Sequence, residues 1–438
     1  MGFASFIKET IADAAKTLTS KEGLKSLYGV SLYRNAIYLM LSRGVTAILG
    51  FAFWILAARF YSASDVGLAS GIISAAGLLA LLSTLGLDYG LIRFLPTSGE
   101  RANITLNSSF TVAGLLSLVF AFIFIAGISL WSPTLAFLRQ DLIWLISFVV
   151  FTVAYTLYPL MGTAFVAKRR AGFDLVLGII DSLVRVALVI PLAAFFQSGG
   201  IIASWLIGFV AAIVVAILLL LPQVQAGYHF SPVIRREVMN EMAHFSLANY
   251  AVVLIWTFPN FALPLMVVNR LGAETNAYFY IAWSIAGFLY TIAIATSYSL
   301  FAEGSHDEER LGQDIKRGLK LVFILLIPAI ILVLLIGDKV LLLFGRAYSE
   351  NATSVLRILA ASAFPLSINY IYFSMRRVQK KMKSVIWFTA LVAVGTLGLS
   401  WVLLPRMGIL GVGVAWLVSQ GIATLIIVCN LWRPIKLL

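Results

Sequence analysis

One cysteine and three histidines are all that 438 residues offer in thiol and imidazole ligands for a metal. Cys429 sits alone in an apolar run near the C-terminus, which excludes an internal disulfide framework and any cysteine-built metal site. His229, His244 and His306 lack the spacing of ligands, so no metal or cofactor site is expected. The zinc-protease HExxH, the glycine-lysine phosphate loop and the nucleophile elbow are all missing. Charge is scarce too: 12% of residues are charged and 61% are hydrophobic, where a soluble domain has about a quarter charged and about half apolar. That deficit excludes a soluble protein and points to an all-α polytopic membrane protein. The aromatic content and the continuous apolar runs exclude the alternating pattern of a β-barrel.

The net charge is +13. In a soluble chain this would suggest nucleic acid. Here the basic residues flank apolar runs, so membrane lipids are the expected surroundings and no nucleic acid is expected. Tryptophan and tyrosine near span ends read as interfacial belts. The segment 1–34 has no signal-peptide core. Phe3, Phe6, Ile7, Ile11, Ala14 and Leu18 recur at helical spacing among lysines, which predicts an amphipathic helix on the cytoplasmic surface.

Apolar runs of spanning length recur at 35–59, 67–91, 108–131, 142–167, 173–196 and 200–222. After the polar stretch "PQVQAGYHFSPVIRREVMNEMAHF" they resume at 246–269, 275–301, 319–337, 353–375, 384–404 and 408–431. The expected layout is about 12 spans. It has an N-lobe at 35–222, a cytoplasmic linker at 223–245, a C-lobe at 246–431 and a cytoplasmic tail at 432–438. Lys and Arg set the orientation: "KRR" (168–170), "IRRE" (234–237), "IKRGLK" (315–320), "RRVQKKMK" (376–383) and "RPIK" (433–436) fall on one side. With both termini on that cytoplasmic side, the outer segments carry only Arg59, Arg139, Arg270, Lys339, Arg346 and Arg406. "ARFYSASDVG" (58–67) and "NRLGAETNAY" (269–278) occupy the same joint in the two sixes, and "GIIASWLIGFVAAIVVAI" resembles "GVAWLVSQGIATLIIV". An internal duplication follows, with two six-helix lobes around a central cavity.

Charge inside hydrocarbon is costly and marks function by default. Arg43 lies in the first span, Arg185 deep in the fifth and Arg357 about one turn inside the tenth. Asp174, Gly178, Asp181 and Arg185 follow 4-3-4 spacing and form one polar stripe. It reads either as a self-neutralised pair buried between helices or as a cavity wall whose acid titrates and whose arginine binds an anion. Asn35, Ser42, Arg43, Thr46 and Gly50 cluster on one face of the first span, as a cavity wall or as a small-residue seam. Asp88 is the second candidate acid, more naturally interfacial. Pro259, Pro264 and Pro365 interrupt spans as hinges or as mere curvature. The sequons at Asn103, Asn107 and Asn351 carry no signal.

Three stretches resemble the polysaccharide-exporter and O-antigen flippase branch of the multidrug/oligosaccharidyl-lipid/polysaccharide superfamily. They are "GFAFWILAARFYSASDVGLASGIISAAGLLALLSTLGLDYGLIRFLP" (50–96), "FGRAYSENATSVLRILAASAFP" (344–365) and "GILGVGVAWLVSQGIATLII" (408–427). The resemblance implies an alternating-access carrier, not an enzyme. It would flip a polyprenyl-pyrophosphate-linked oligosaccharide to the outer leaflet of the plasma or inner membrane. It would act as a monomer beside glycosyltransferases or a polymerase of the same pathway. Arg43, Arg185 and Arg357 would then hold the pyrophosphate, and Asp181 or Asp88 would couple H+ or Na+. A multidrug cation antiporter is the first alternative, opposed by the arginines. A membrane glycosyltransferase or polymerase is the second. It needs a long outer loop with catalytic groups, and the longest expected here, "GDKVLLLFGRAYSEN" (337–351), is largely apolar. A membrane scaffold is opposed only by the stranded charges and the duplicated lobes.

Overall fold

The computed structural model describes residues 31–306 and 311–435. The expected amphipathic segment lies outside them up to residue 30, as do 307–310 in the charged loop and 436–438 in the tail.

The principal helices are α1 (Ser31–Phe60), α2 (Ala63–Thr84), α3 (Leu87–Phe94), α4 (Ala102–Ala126), α5 (Leu142–Ala167), α6 (Ala171–Val215), α7 (Arg236–Leu271), α8 (Ala273–His306), α9 (Leu311–Leu342), α10 (Arg346–Val378), α11 (Met382–Met407) and α12 (Ile409–Ile435). Helices are the expected outcome for apolar runs in lipid, where backbone groups must be satisfied within the segment. Among the described residues, eleven helices are long and apolar enough to cross a membrane. One of these, Ala171–Val224, has 54 residues, about twice a span. It is broken at Phe196 and Gln197, whose backbone leaves the helical region. Beyond the break the chain folds back. A β-carbon on Gly200 would lie 2.8 Å from the Leu192 carbonyl oxygen, and one on Gly208 2.8 Å from Asp181 Oδ1. The eleven helices therefore supply twelve membrane-length segments. The protein is an all-α, multi-pass integral membrane protein.

α2 is the most enclosed helix. It buries Gly67, Ala69, Ser70, Gly71, Ser74, Ala75, Ala76 and Gly77, small residues that let neighbouring backbones approach. It packs on α7 and α8, while α1 packs chiefly on α6, and α10 on α8, α9 and α12. At the end of the bundle where α1 meets α2, Asp65 Oδ1 accepts from the Ser198 N–H at 3.0 Å and caps the second limb of α6. At the same end Arg59 donates to the Leu343 and Leu342 carbonyls at 2.8 and 2.7 Å, and so caps the C-terminus of α9. Buried Asn276 donates to the Gly67 carbonyl and Ser70 Oγ.

Several boundaries differ from expectation. The second span ends at Thr84, not at residue 91. Leu85 and Gly86 both take positive φ, and Gly86 lies so close to Ser246 that a β-carbon would come within 2.5 Å of its carbonyl oxygen. The 337–351 loop is helical except for 343–345, because its leucines continue α9. Ten residues of the expected linker, 236–245, already belong to α7. The rest is tied to α4: Asn103 and Asn107 donate to the Gly227 and His229 carbonyls at 3.1 and 2.9 Å. Two of the sequons thus hold this crossing segment. α7 runs through Pro259 and Pro264, and α10 through Pro365, as continuous helix.

Candidate functional site: an arginine–aspartate cavity

The two polar stripes read from sequence meet each other. Gly178 on α6 has room only for hydrogen: its β-carbon would lie 2.6 Å from Thr46 Cγ2 on α1. One turn away, Ser42 Oγ donates to Asp174 Oδ2 at 3.0 Å. Small side chains at Ser42, Thr46 and Gly178 therefore form a helix–helix seam, and the long polar side chains beside it project into a cavity of about 530 Å³. Arg43, Asp174, Asp181 and Arg185 all line it, together with Tyr158 and Pro159 of α5, Ile92 of α3, Trp54 of α1 and Trp205 from the second limb of α6. The seam and cavity readings both describe the same helix pair.

Arg185 and Asp181 form a fork-to-fork pair. Nε donates to Oδ1 at 2.7 Å, and the second guanidinium nitrogen donates to Oδ2. Asp181 is 2% exposed. The guanidinium also lies over the Trp205 ring at 3.8 Å and the Phe209 ring at 4.8 Å. This is a planar cation held by a carboxylate on its edge and by aromatic faces. Trp205 in turn stacks with Tyr155, ring planes 11° apart.

Arg43 is different. It is exposed, lines the cavity, and its guanidinium forms no hydrogen bond or ion pair among the described residues. It is the cavity's unengaged guanidinium. Formally the cavity carries two arginines and two aspartates. Asp174 is on this wall and Arg357 is not. Arg357 is exposed on α10, with Nε donating to the Leu334 carbonyl of α9 at 3.1 Å. The two arginines on this wall, Arg43 and Arg185, both come from the first six apolar runs. Asp88 opens the first turn of α3, half-buried and off the wall.

Trp205, Trp54 and Tyr158 are wall residues that the interfacial-belt reading of tryptophan and tyrosine passes over. A signal exists: residues equidistant from a turn near 196 face each other in a hairpin, which puts Trp205 opposite Arg185.

A second cavity, of about 580 Å³, lies among α7, α8, α10 and α11, with Tyr89 of α3 on its wall. Arg377, also passed over in the sequence, lines it.

No curated protein matches the chain. Solved structures do. The lipid II flippase MurJ in an inward closed conformation aligns with TM-score 0.76 and 13% identity, over 90% of this chain and 87% of that one. An inward-facing multidrug resistance MATE family transporter of the MOP superfamily aligns at 0.66 and 16%, over 92% and 98%. An outward-facing one aligns at 0.54 and 17%, over 93% and 95%. The MatE family profile matches residues 250–402. The profile described as "Polysaccharide biosynthesis protein" matches residues 32–305, a stretch that holds every residue of the arginine–aspartate cavity. The chain belongs to the polysaccharide biosynthesis protein family and has the fold of the MOP-superfamily transporters and flippases.

Proposed function

We propose that this protein flips a polyprenyl-pyrophosphate-linked oligosaccharide from the inner to the outer leaflet of the plasma or inner membrane, by alternating access, for cell-surface polysaccharide synthesis. The observation that carries the reading is Arg43: a guanidinium on a cavity wall, without an ion-pair partner among the described residues, inside the stretch matched by the family. Guanidinium pairs bidentately with phosphate oxygens and keeps its charge at any working pH. α1 is also weakly enclosed, with 17% of its apolar window buried. A lipid tail can therefore stay in the bilayer beside α1 while the headgroup enters. The closer match to the inward-facing MATE structure than to the outward-facing one, at similar identity, is consistent with a cavity waiting for cargo from the inner side.

Coupling follows from the paired residues. An arriving phosphate competes with Asp181 for Arg185. A buried carboxylate without its guanidinium is costly, and a proton relieves the cost. Asp181 is the coupling acid in this scheme, with Asp88 as the second candidate and Na+ as the alternative ion. The protein works as a monomer beside the glycosyltransferases or polymerase of its pathway.

The test is proteoliposome flux of a fluorescent polyprenyl-pyrophosphate oligosaccharide. Arg43→Ala and Arg185→Ala should each abolish it, and wild-type rates in both would end the cavity mechanism. Flux that survives collapse of both ion gradients would end the coupling scheme. A second reading, multidrug cation export, is favoured by the MatE profile and by the two cavity aspartates. It predicts that Arg43→Ala raises transport of a fluorescent organic cation.

A further inference from the structure

The second cavity differs in chemistry from the first. Its only ionised side chain is Arg377 of α10, which is half-buried and makes no side-chain hydrogen bond or ion pair among the described residues. Around it stand rings: Trp256, Tyr370, Tyr298 and Tyr89. Trp256 and Tyr370 meet edge to face at 4.8 Å, so each orients the other. Tyr298 is 62% exposed. Hydroxyls from Ser297, Thr257 and Thr389 complete the lining.

A prenyl chain has no use for a guanidinium. A second pyrophosphate would call for several convergent cations, and Arg377 alone is on the wall. A sugar ring presents an apolar C–H face and a rim of hydroxyls. Aromatic faces with hydroxyl tips and one guanidinium suit both parts. The two cavities also share a wall element. α3 lines both, Ile92 the first and Tyr89 the second. Ile92 and Tyr89 are three residues apart, about 4.5 Å along the axis and on one face of α3.

We propose that this cavity binds the glycan of the same cargo whose pyrophosphate sits at Arg43. Tyr298 and its neighbouring rings take the sugar faces, and Arg377 takes a ring hydroxyl or a uronate carboxylate. The inference rests on the flippase reading and divides the headgroup between two subsites that have α3 as a common wall.

The experiment uses the full chain in nanodiscs and two probes. One is fluorescent polyprenyl pyrophosphate, and the other is the same lipid carrying a glucuronate-containing disaccharide. Wild type should bind the sugar-bearing probe about tenfold more tightly. Tyr298→Ala and Arg377→Gln should erase that advantage while binding of the bare probe stays within about twofold. Tyr298→Phe should restore the advantage, because the ring face is kept. Arg43→Ala should weaken both probes. Equal binding of the two probes by wild type overturns the glycan subsite alone. So does an advantage that survives both variants, or parallel loss of both probes in them. A wild type that binds neither probe overturns the flippase reading and this one with it.

Discussion

A β-carbon on Gly67 would fall inside the van der Waals envelope of the Ala273 carbonyl oxygen, so the backbones of α2 and α8 touch directly. The obstacle is backbone, which cannot rotate away. Gly67→Ala should therefore separate the helices and lower the thermal stability of the purified protein by about 1–3 kcal/mol, the usual cost of overpacking. Gly71→Ala, whose new methyl would meet Val268 Cγ1 at an ordinary 3.4 Å, should leave the melting temperature near wild type.

The Asp181–Arg185 pair is buried, so breaking it should cost more than removing it. Asp181→Asn or Arg185→Ala leaves one member without its partner, which costs about 3–5 kcal/mol. The double change Asp181→Leu with Arg185→Met should recover most of that stability and still transport nothing. Melting curves and flux on the same three preparations check both halves. Stability loss that simply adds in the double variant would contradict the pairing.

Arg43 has no partner to strand among the described residues. Arg43→Ala should shift stability by no more than about 0.5 kcal/mol, as for an ordinary exposed position, and should abolish flux. Arg43→Lys should keep only part of the flux, since ammonium lacks the bidentate fork. Arg357→Ala should transport as wild type, because Arg357 faces α9 and not the arginine–aspartate cavity. Loss of transport in Arg357→Ala with an unchanged melt would restore it as a cargo contact.

Asp65 holds two helix starts. Ser62 Oγ accepts from the Asp65 N–H and donates to its carboxylate, while the other carboxylate oxygen caps the limb that begins at Ser198. Asp65→Ala should cost about 1–2 kcal/mol of thermal stability. Asp65→Asn keeps an acceptor and should lose less. Hydrogen exchange at the Ser198 amide reports the same cap directly.

Residues four apart on one helix share a face whatever surrounds them. The stripe Asp174–Gly178–Asp181–Arg185 and the stripe Ser42–Arg43–Thr46–Gly50 are therefore legible in the sequence. So are the two segments either side of residue 196, from the apolar run lengths alone. The resemblance carried by 50–96 and 408–427 points to the superfamily. Partners across space are not legible. Nothing in the order of residues indicates that α1 packs chiefly on α6, or that Arg357 turns toward α9.

Membrane class, the twelve crossings and the faces of individual helices are written in the order of residues. They follow from hydropathy and a 3.6-residue period, which are properties of each segment alone. Which charges meet is a matter of tertiary packing. It enclosed Asp181 with Arg185, left Arg43 and Arg377 without partners among the described residues and put α3 on the walls of both their cavities. The physical reason is close approach: side chains as small as Gly67 and Gly178 let particular helices come together, and that approach fixes which polar groups are enclosed together.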